Sequence, residues 1–85
     1  MRYLSGPDLE YFLQVSDQTL RSFRNNGMPC IKQSKGYTYD LEGVYEWLRV
    51  KSEKEHKYVK YRDRLRPLLT MNGLQYVGRN IVSFL

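Results

Sequence analysis

The sequence predicts a mainly α-helical fold with one small β-hairpin, and three observations support that prediction. Serines at positions 5 and 16 each precede an apolar stripe with helical spacing, as helix N-caps do. Gly27 and Pro29 then stop the second helix, because glycine accepts a left-handed backbone and proline cannot continue a helix. Ser34-Lys35-Gly36 lies between two β-prone segments and has the composition of a hairpin turn.

The first helix is expected over residues 4–14, with Ser5 as its cap and Asp8 at the capping-box position. Its apolar stripe consists of Leu9, Phe12 and Leu13. Only residues 14 and 15 separate this helix from Ser16, which caps the next one. Two helices joined by so short a turn are expected to cross at a steep angle, as in a helix-turn-helix.

The second helix has two chemically different faces. Leu20 and Phe23 point to one side, towards a core. Arg24 lies at the flank, where it is better placed for a phosphate. Gln and Asn can form two hydrogen bonds with an adenine edge, and Arg can do the same with guanine. The residues on the opposite side are therefore predicted to face DNA bases, and the alternative is that they form an ordinary solvated face. These residues are Gln18, Arg21, Ser22 and Asn25.

A basic hairpin is expected over residues 30–39, directly after this helix. Lys32 and Lys35 suit a wing that contacts the DNA backbone or minor groove, and the alternative is a flap that only covers the core. Cys30 is expected to pack as a small buried apolar side chain. Asp40 is the predicted cap of a third helix, with Trp47 at the core edge or against a partner. The core stripe of that helix is Leu41, Val44, Tyr45 and Leu48.

The excess positive charge of the chain lies in one segment. Residues 49–66 hold eight basic and three acidic side chains, whereas residues 1–48 hold five and six. No Gly or Pro interrupts this segment before Pro67, so it is expected to continue the third helix. Its thin apolar stripe is Tyr58, Tyr61 and Leu65. Three roles stay open: a basic arm along phosphates, a helix that pairs with a second subunit, and a solvated helix docked on its own core.

Residues 67–85 form an apolar tail. Asn72-Gly73 predicts a turn. The following residues, 74–85, fit either a hairpin about Gly78-Arg79-Asn80 or a helix with one apolar side. In both cases the tail should be buried, either as a cover for the core or in an oligomer or a larger partner.

Composition argues against several classes of protein. A single cysteine excludes an internal disulfide framework and fits a reducing cytoplasm. No signal peptide is visible, and no apolar run approaches the roughly 20 residues of a membrane span. We expect no enzyme and no cofactor, because phosphate-binding loops and clusters of Asp, Glu and His are absent from the sequence. His56 has no second His or Cys beside it, so we expect no metal site.

This order of elements resembles the winged helix-turn-helix shared by MerR-type regulators, phage excisionases and the lambda-type small terminase subunit. The DNA-binding head of that terminase subunit is the most similar. The resemblance covers about residues 3–50 and rests on Val15-Ser16, Thr19, Phe23, Gly27-Met28-Pro29, the basic hairpin, Tyr39-Asp40 and the helix from Val44 to Trp47.

The resemblance implies a double-stranded DNA-binding protein of a phage or mobile element, with its second helix in the major groove. It also implies a homodimer, with a terminase large subunit or an integrase as a further partner. The first expectation is a role in DNA packaging. The alternative is excision or transcription control, and a further alternative is a protein-binding adaptor on the same scaffold. The expected organisation is a DNA-binding domain at 1–50, a basic helical extension at 51–66 and an apolar tail at 67–85. The resemblance makes Lys32 and Lys35 the wing contacts, and it implies the cytoplasm of a bacterial host cell. The other predicted backbone contacts are Arg24 at the helix flank and Lys51 and Lys54 in the basic segment.

Overall fold

A computed structural model describes residues 2–70 of the chain, together with the backbone of residues 74–77 and 80–83. The predicted mainly helical fold with a small antiparallel sheet is confirmed. The elements in chain order are β1 (Tyr3–Ser5), α1 (Gly6–Leu13), α2 (Asp17–Asn25), β2 (Ile31–Gln33), β3 (Gly36–Asp40), α3 (Leu41–Lys54), a turn of 3-10 helix (His56–Tyr58), α4 (Val59–Thr70), β4 (Leu74–Val77) and β5 (Asn80–Ser83).

Both serine caps form as predicted. The Ser5 hydroxyl accepts from the Asp8 amide at 3.3 Å and donates to the Asp8 carboxylate at 2.8 Å. The Ser16 hydroxyl accepts from the Thr19 amide at 3.1 Å. Between the two helices Gln14 adopts a left-handed backbone with φ 58°, which ends α1 and turns the chain towards α2.

The predicted hairpin is part of a three-stranded antiparallel sheet in the order β1-β3-β2. Strand β1 was not predicted: the segment assigned to the first helix included Leu4, whereas α1 begins at Gly6, after its predicted cap Ser5. Leu4 instead lies opposite Tyr39 in the ladder, and both side chains are buried. The strand therefore brings Leu4 into the core from outside the helix.

The hydrophobic core draws on α1 to α4, on β1 and β3, and on the turn after α2. The predicted apolar stripes of the four helices supply most of it, and Trp47 covers its edge. Its buried side chains are Leu4, Leu9, Leu13, Leu20, Phe23, Met28, Tyr39, Leu41, Val44, Leu48, Tyr58, Leu65 and Leu68.

The third helix does not continue through the basic segment, so that prediction is wrong. Helix α3 ends at Lys54, and Glu55 has an extended backbone with φ −136°. Helix α4 then runs antiparallel to α3. Two hydrogen bonds show this direction: Arg62, near the start of α4, contacts Ser52 near the end of α3 at 3.3 Å, and Arg66, further along α4, contacts Tyr45 nearer the start of α3 at 3.4 Å. This return buries the predicted apolar stripe, so α4 docks on its own core, and it continues past residue 66 to residue 70.

In the tail, strands β4 and β5 pair antiparallel, with Val77 opposite Asn80. Of the two alternatives for this segment, the hairpin is confirmed and the helix is wrong. The predicted turn at Asn72-Gly73 lies outside the described residues, as does Gly78-Arg79.

Two local predictions fail. Cys30 is exposed rather than buried, because Met28 takes the core position in the same turn. Asp40 occupies the N-cap position of α3, but its side chain makes no capping hydrogen bond. Its Oδ1 atom is buried without a hydrogen-bond partner among the described residues.

Arg2 ties the N-terminus to the end of α4. Its Nη1 donates to the Leu68 carbonyl at 2.7 Å, and its Nη2 lies 2.9 Å from the Glu42 carboxylate. The last carbonyls of a helix have no partner within the helix, so the guanidinium satisfies groups that would otherwise need water.

Replacing Arg2 by methionine keeps the aliphatic stem and removes the donors. We expect Arg2→Met to lower the free energy of unfolding by about 1–2 kcal/mol in urea denaturation, since a charged donor to helix-end carbonyls is lost. The control Glu42→Gln removes only a half-exposed ion pair and should cost at most about 0.5 kcal/mol. Equal losses in the two variants would assign the effect to the ion pair.

Candidate nucleic-acid interface

Helix α2 presents its polar face to solvent. On its other side Leu20 and Phe23 are 1% and 6% exposed, so burial fixes which face points outward. An open polar face is what a helix needs before its side chains can reach base edges in a groove. The four predicted base-facing side chains are all exposed there: Gln18, Arg21, Ser22 and Asn25.

Phe23 holds α2 in place through an aromatic cluster with Trp47, Tyr58 and Tyr61. The ring centroid of Phe23 lies 5.7 Å from Trp47, 5.8 Å from Tyr58 and 5.4 Å from Tyr61. Tilted and edge-on ring pairs at such distances are favourable beyond their buried area. The cluster therefore joins α2 to α3, to the 3-10 turn and to α4.

A glycine turn sets the path from α2 to the hairpin. Gly27 has φ +103°, and the Met28 amide donates to the Phe23 carbonyl at 3.0 Å. Met28 is 2% exposed and fixes the turn on the core. An added Cβ at Gly27 would lie 3.5 Å from the Trp47 indole nitrogen, which is an ordinary contact. The backbone angle, not crowding, therefore requires glycine.

We expect Gly27→Ala to lower the free energy of unfolding by about 1–2 kcal/mol, because a side chain at this φ is strained. Gly6→Ala is the matched control, since Gly6 begins α1 with open space around its Cβ position. That variant should be neutral or slightly stabilising in thermal or urea denaturation. A neutral Gly27→Ala would mean that the turn adapts to another backbone conformation.

The hairpin β2–β3 lies beside α2 and carries the predicted wing lysines. Lys32 lies directly opposite Tyr37 in the ladder, and Lys35 lies in the turn between the strands. Both lysines are exposed. Residues directly opposite in a ladder share a face of the sheet, so Lys32 and Tyr37 lie on the same face.

Arg24, predicted as a phosphate contact, reaches from α2 to the hairpin. Its Nη1 donates to the Tyr39 hydroxyl at 2.7 Å, and its guanidinium carbon lies 4.1 Å from the centroid of the Tyr37 ring. Burial raises the pKa of the Tyr39 phenol, although the Arg24 hydrogen bond acts against it. Burial of Arg24 tends to lower its pKa. The hydrogen bond to Tyr39 and the electrostatic interaction with that residue outweigh the effect of burial, so the pKa of Arg24 is raised.

A groove runs along each side of α2. On the side of the β2–β3 hairpin it is lined by Glu10, Asp17, Arg24, Lys35 and Tyr37, among others. On the other side the polar face of α2 meets the 3-10 turn and α4. The residues lining that second groove include Gln18, Ser22, Asn26, Lys57, Tyr58 and Tyr61.

Lys57 was not among the predicted site residues, although it belongs to the basic run. A straight third helix would have carried it away from α2, whereas the turn after Lys54 brings it beside Gln18 and Ser22. Lys51, by contrast, lies over the Trp47 ring at 5.5 Å, and Lys54 is exposed at the end of α3. Neither lines the two grooves described here.

The acidic groups near α2 limit where an anion can approach. Asp17 lies 3.8 Å from Arg21, and both side chains are well exposed, so this pair is weak. Asp17 and Glu10 both line the groove on the hairpin side, where Arg24 and Lys35 oppose them. The second groove has no carboxylate among its described lining residues.

Neither a metal site nor a membrane-spanning helix is seen in the described part of the chain. No three His, Cys, Asp or Glu side chains there come together as metal ligands would. No described helix has both the length and the apolar surface needed to cross a bilayer. Comparison of the chain with family models, with curated proteins and with solved structures finds no significant match.

Proposed function

We propose that this chain is a winged helix-turn-helix protein that binds double-stranded DNA. Helix α2 enters the major groove, and the β2–β3 wing lies on the flanking backbone. The observation that carries the proposal is the exposed polar face of α2 with a lysine on each side of it, Lys35 on the wing side and Lys57 on the other.

The chemistry of that face suits base readout. Arg21 can donate two hydrogen bonds to a guanine edge, and Gln18 and Asn25 can each pair with an adenine edge. The weak ion pair of Arg21 with Asp17 costs little to break when a base takes its place. The flanking lysines supply the electrostatic part of binding, which sets affinity and register rather than sequence.

Lysines are the cations best placed to contact phosphates. Within the described residues Lys32, Lys35, Lys54 and Lys60 are exposed and form no ion pair. Lys57 is loosely paired with Glu55 at 3.6 Å, and its ammonium lies 5.4 Å from the centroid of the Tyr58 ring. Phosphates therefore displace few existing contacts. Lys51 and Lys54 stay predicted contacts to the outer backbone of a longer duplex.

The experiment that tests this function is a salt titration of duplex binding. A duplex selected from a random pool should bind at low salt and weaken with a log–log slope near −0.9 per phosphate contacted. Lys35→Ala and Lys57→Ala should each flatten that slope by roughly one contact without changing the preferred sequence. If the chain enriches no duplex from the pool at low ionic strength, the proposal is wrong.

Arg21→Ala tests base readout by α2. It should weaken the selected duplex by about 1–3 kcal/mol and random duplex much less. Arg49→Ala is the matched control, because it removes the same charge from an exposed arginine of α3 that is paired with Glu46 and Glu53. Both affinities can be measured by fluorescence anisotropy. Equal losses on the selected and the random duplex would make Arg21 a phosphate contact.

The biological task rests on the resemblance alone, and DNA packaging by a small-terminase-like head is the first candidate. Excision and transcription control use the same kind of head and follow it. All three fit a homodimer on spaced half-sites, and a terminase large subunit or an integrase would be a further partner. Recovering DNA fragments bound in infected or lysogenic cells separates them, since packaging origins, attachment sites and promoters differ in position.

One observation favours a second candidate, a protein-binding adaptor on this scaffold. Glu10 and Asp17 line the wing-side groove, and carboxylates there oppose a phosphate backbone. An adaptor would show little duplex binding at about 150 mM salt, where a DNA-binding protein with several phosphate contacts still binds its own site. The same titration therefore decides between the two functions.

A further inference from the structure

The tip of the wing has little support from the sheet. Strand β1 pairs only with the part of β3 from Thr38 to Asp40. Beyond it, the ladder consists of β2 and the start of β3, and β2 is exposed along its whole length. A two-stranded ribbon without a third strand is only marginally stable by itself. Some contact outside the sheet must therefore hold the tip.

Arg24 provides that contact from the last turn of α2. Its hydrogen bond to Tyr39 reaches the buried part of β3, and its stacking on Tyr37 reaches the part next to the tip. Tyr37 and Tyr39 are two residues apart in one strand, so their side chains share a face. The Arg24 guanidinium therefore contacts two neighbouring side chains, Tyr37 and Tyr39, on the same face of the wing.

The geometry requires an arginine and a tyrosine hydroxyl. A planar guanidinium can stack on one ring while its edge donates to another group, which a lysine ammonium cannot do in the same way. Tyr39 is 0% exposed, and among the described residues Arg24 is the hydrogen-bond partner of its buried hydroxyl. We therefore expect the contact to be weakened when Arg24 is exchanged for lysine or Tyr39 for phenylalanine.

We propose that Arg24 is a positioning residue, which sets the angle between α2 and the wing through Tyr39 and Tyr37. This inference rests on the proposed function. In that setting, Arg24 fixes the distance between the bases read by α2 and the phosphates contacted by Lys32 and Lys35. Its main role is then internal, in place of the phosphate contact predicted from its position on the helix.

Tyr39→Phe in the full chain tests the inference, because it removes one hydroxyl and no charge. With the selected duplex we expect a loss of about three- to tenfold in affinity, the size of one hydrogen bond. Hydroxyl-radical footprints should weaken on the wing side and persist over α2. Lys35→Ala should then cost less in the Tyr39→Phe background than in the wild type, since a displaced wing has already lost that contact.

Two further variants complete the design. Arg24→Lys keeps the charge but loses the planar fork, and it should bind like Tyr39→Phe. Tyr45→Phe is the matched control, because its hydroxyl accepts from Arg66 at 3.4 Å between α3 and α4, away from the wing. It should bind like the wild type. Thermal unfolding of each variant shows that the fold persists, and Arg24→Lys serves if Tyr39→Phe does not fold.

The outcomes separate this inference from the proposed function. A wild-type chain that binds no duplex overturns both. If the wild type binds and Tyr39→Phe is indistinguishable from it, this inference alone is overturned. It is also overturned if Arg24→Lys keeps full affinity while Arg24→Ala flattens the salt slope by roughly one contact, since Arg24 then acts as a phosphate contact.

Discussion

The burial of Phe23 in its aromatic cluster is the interaction on which the presentation of α2 depends. Trp47, Tyr58 and Tyr61 surround the ring from three other elements, at 5.4–5.8 Å. A short helix with one side fixed in this way must turn its other side to solvent. Three of the four rings come from α3, the 3-10 turn and α4. The part of the chain after the hairpin therefore forms the surface on which α2, which lies before the hairpin, packs.

The basic residues divide into two groups by what they contact. Five arginines of the described residues donate to acceptors in other parts of the fold: Arg2 to the Leu68 carbonyl, Arg24 to the Tyr39 hydroxyl, Arg62 to the Ser52 hydroxyl, Arg64 to the Leu13 carbonyl at 2.7 Å, and Arg66 to the Tyr45 hydroxyl. The planar fork of arginine suits such fixed acceptors, whereas a lysine is a mobile point charge that stays well hydrated. The formal charge of +5 therefore counts arginines whose donors are already engaged, whereas within the described residues Lys32, Lys35, Lys54 and Lys60 are exposed and form no ion pair.

Apart from the burial of Cys30 and the hydrogen bond of the Asp40 cap, sequence reasoning succeeded where the deciding contact is local. The caps at Ser5 and Ser16, the turn at Gly27 and the β2–β3 hairpin all depend on residues within a few positions of one another. It failed where the contact is distant. Strand β1 exists because Leu4 pairs with Tyr39, and no local signal marks that. The end of α3 at Lys54 has no glycine or proline either, and follows from burying the stripe of α4 on the core.

The same distinction governs the candidate site. Helical periodicity is enough to say which side chains share the outer face of α2, because 100° per residue fixes their directions. It cannot say which charges stand beside that face. Lys35 was predicted because the hairpin directly follows the helix, whereas Lys57 comes next to Gln18 only when α4 turns back. Asp17 places a carboxylate at the N-terminus of α2. This negative charge stabilises the helix by interacting with its dipole, and it repels a phosphate at that end. If α2 does read DNA, the backbone must then approach along the two lysine flanks rather than end-on.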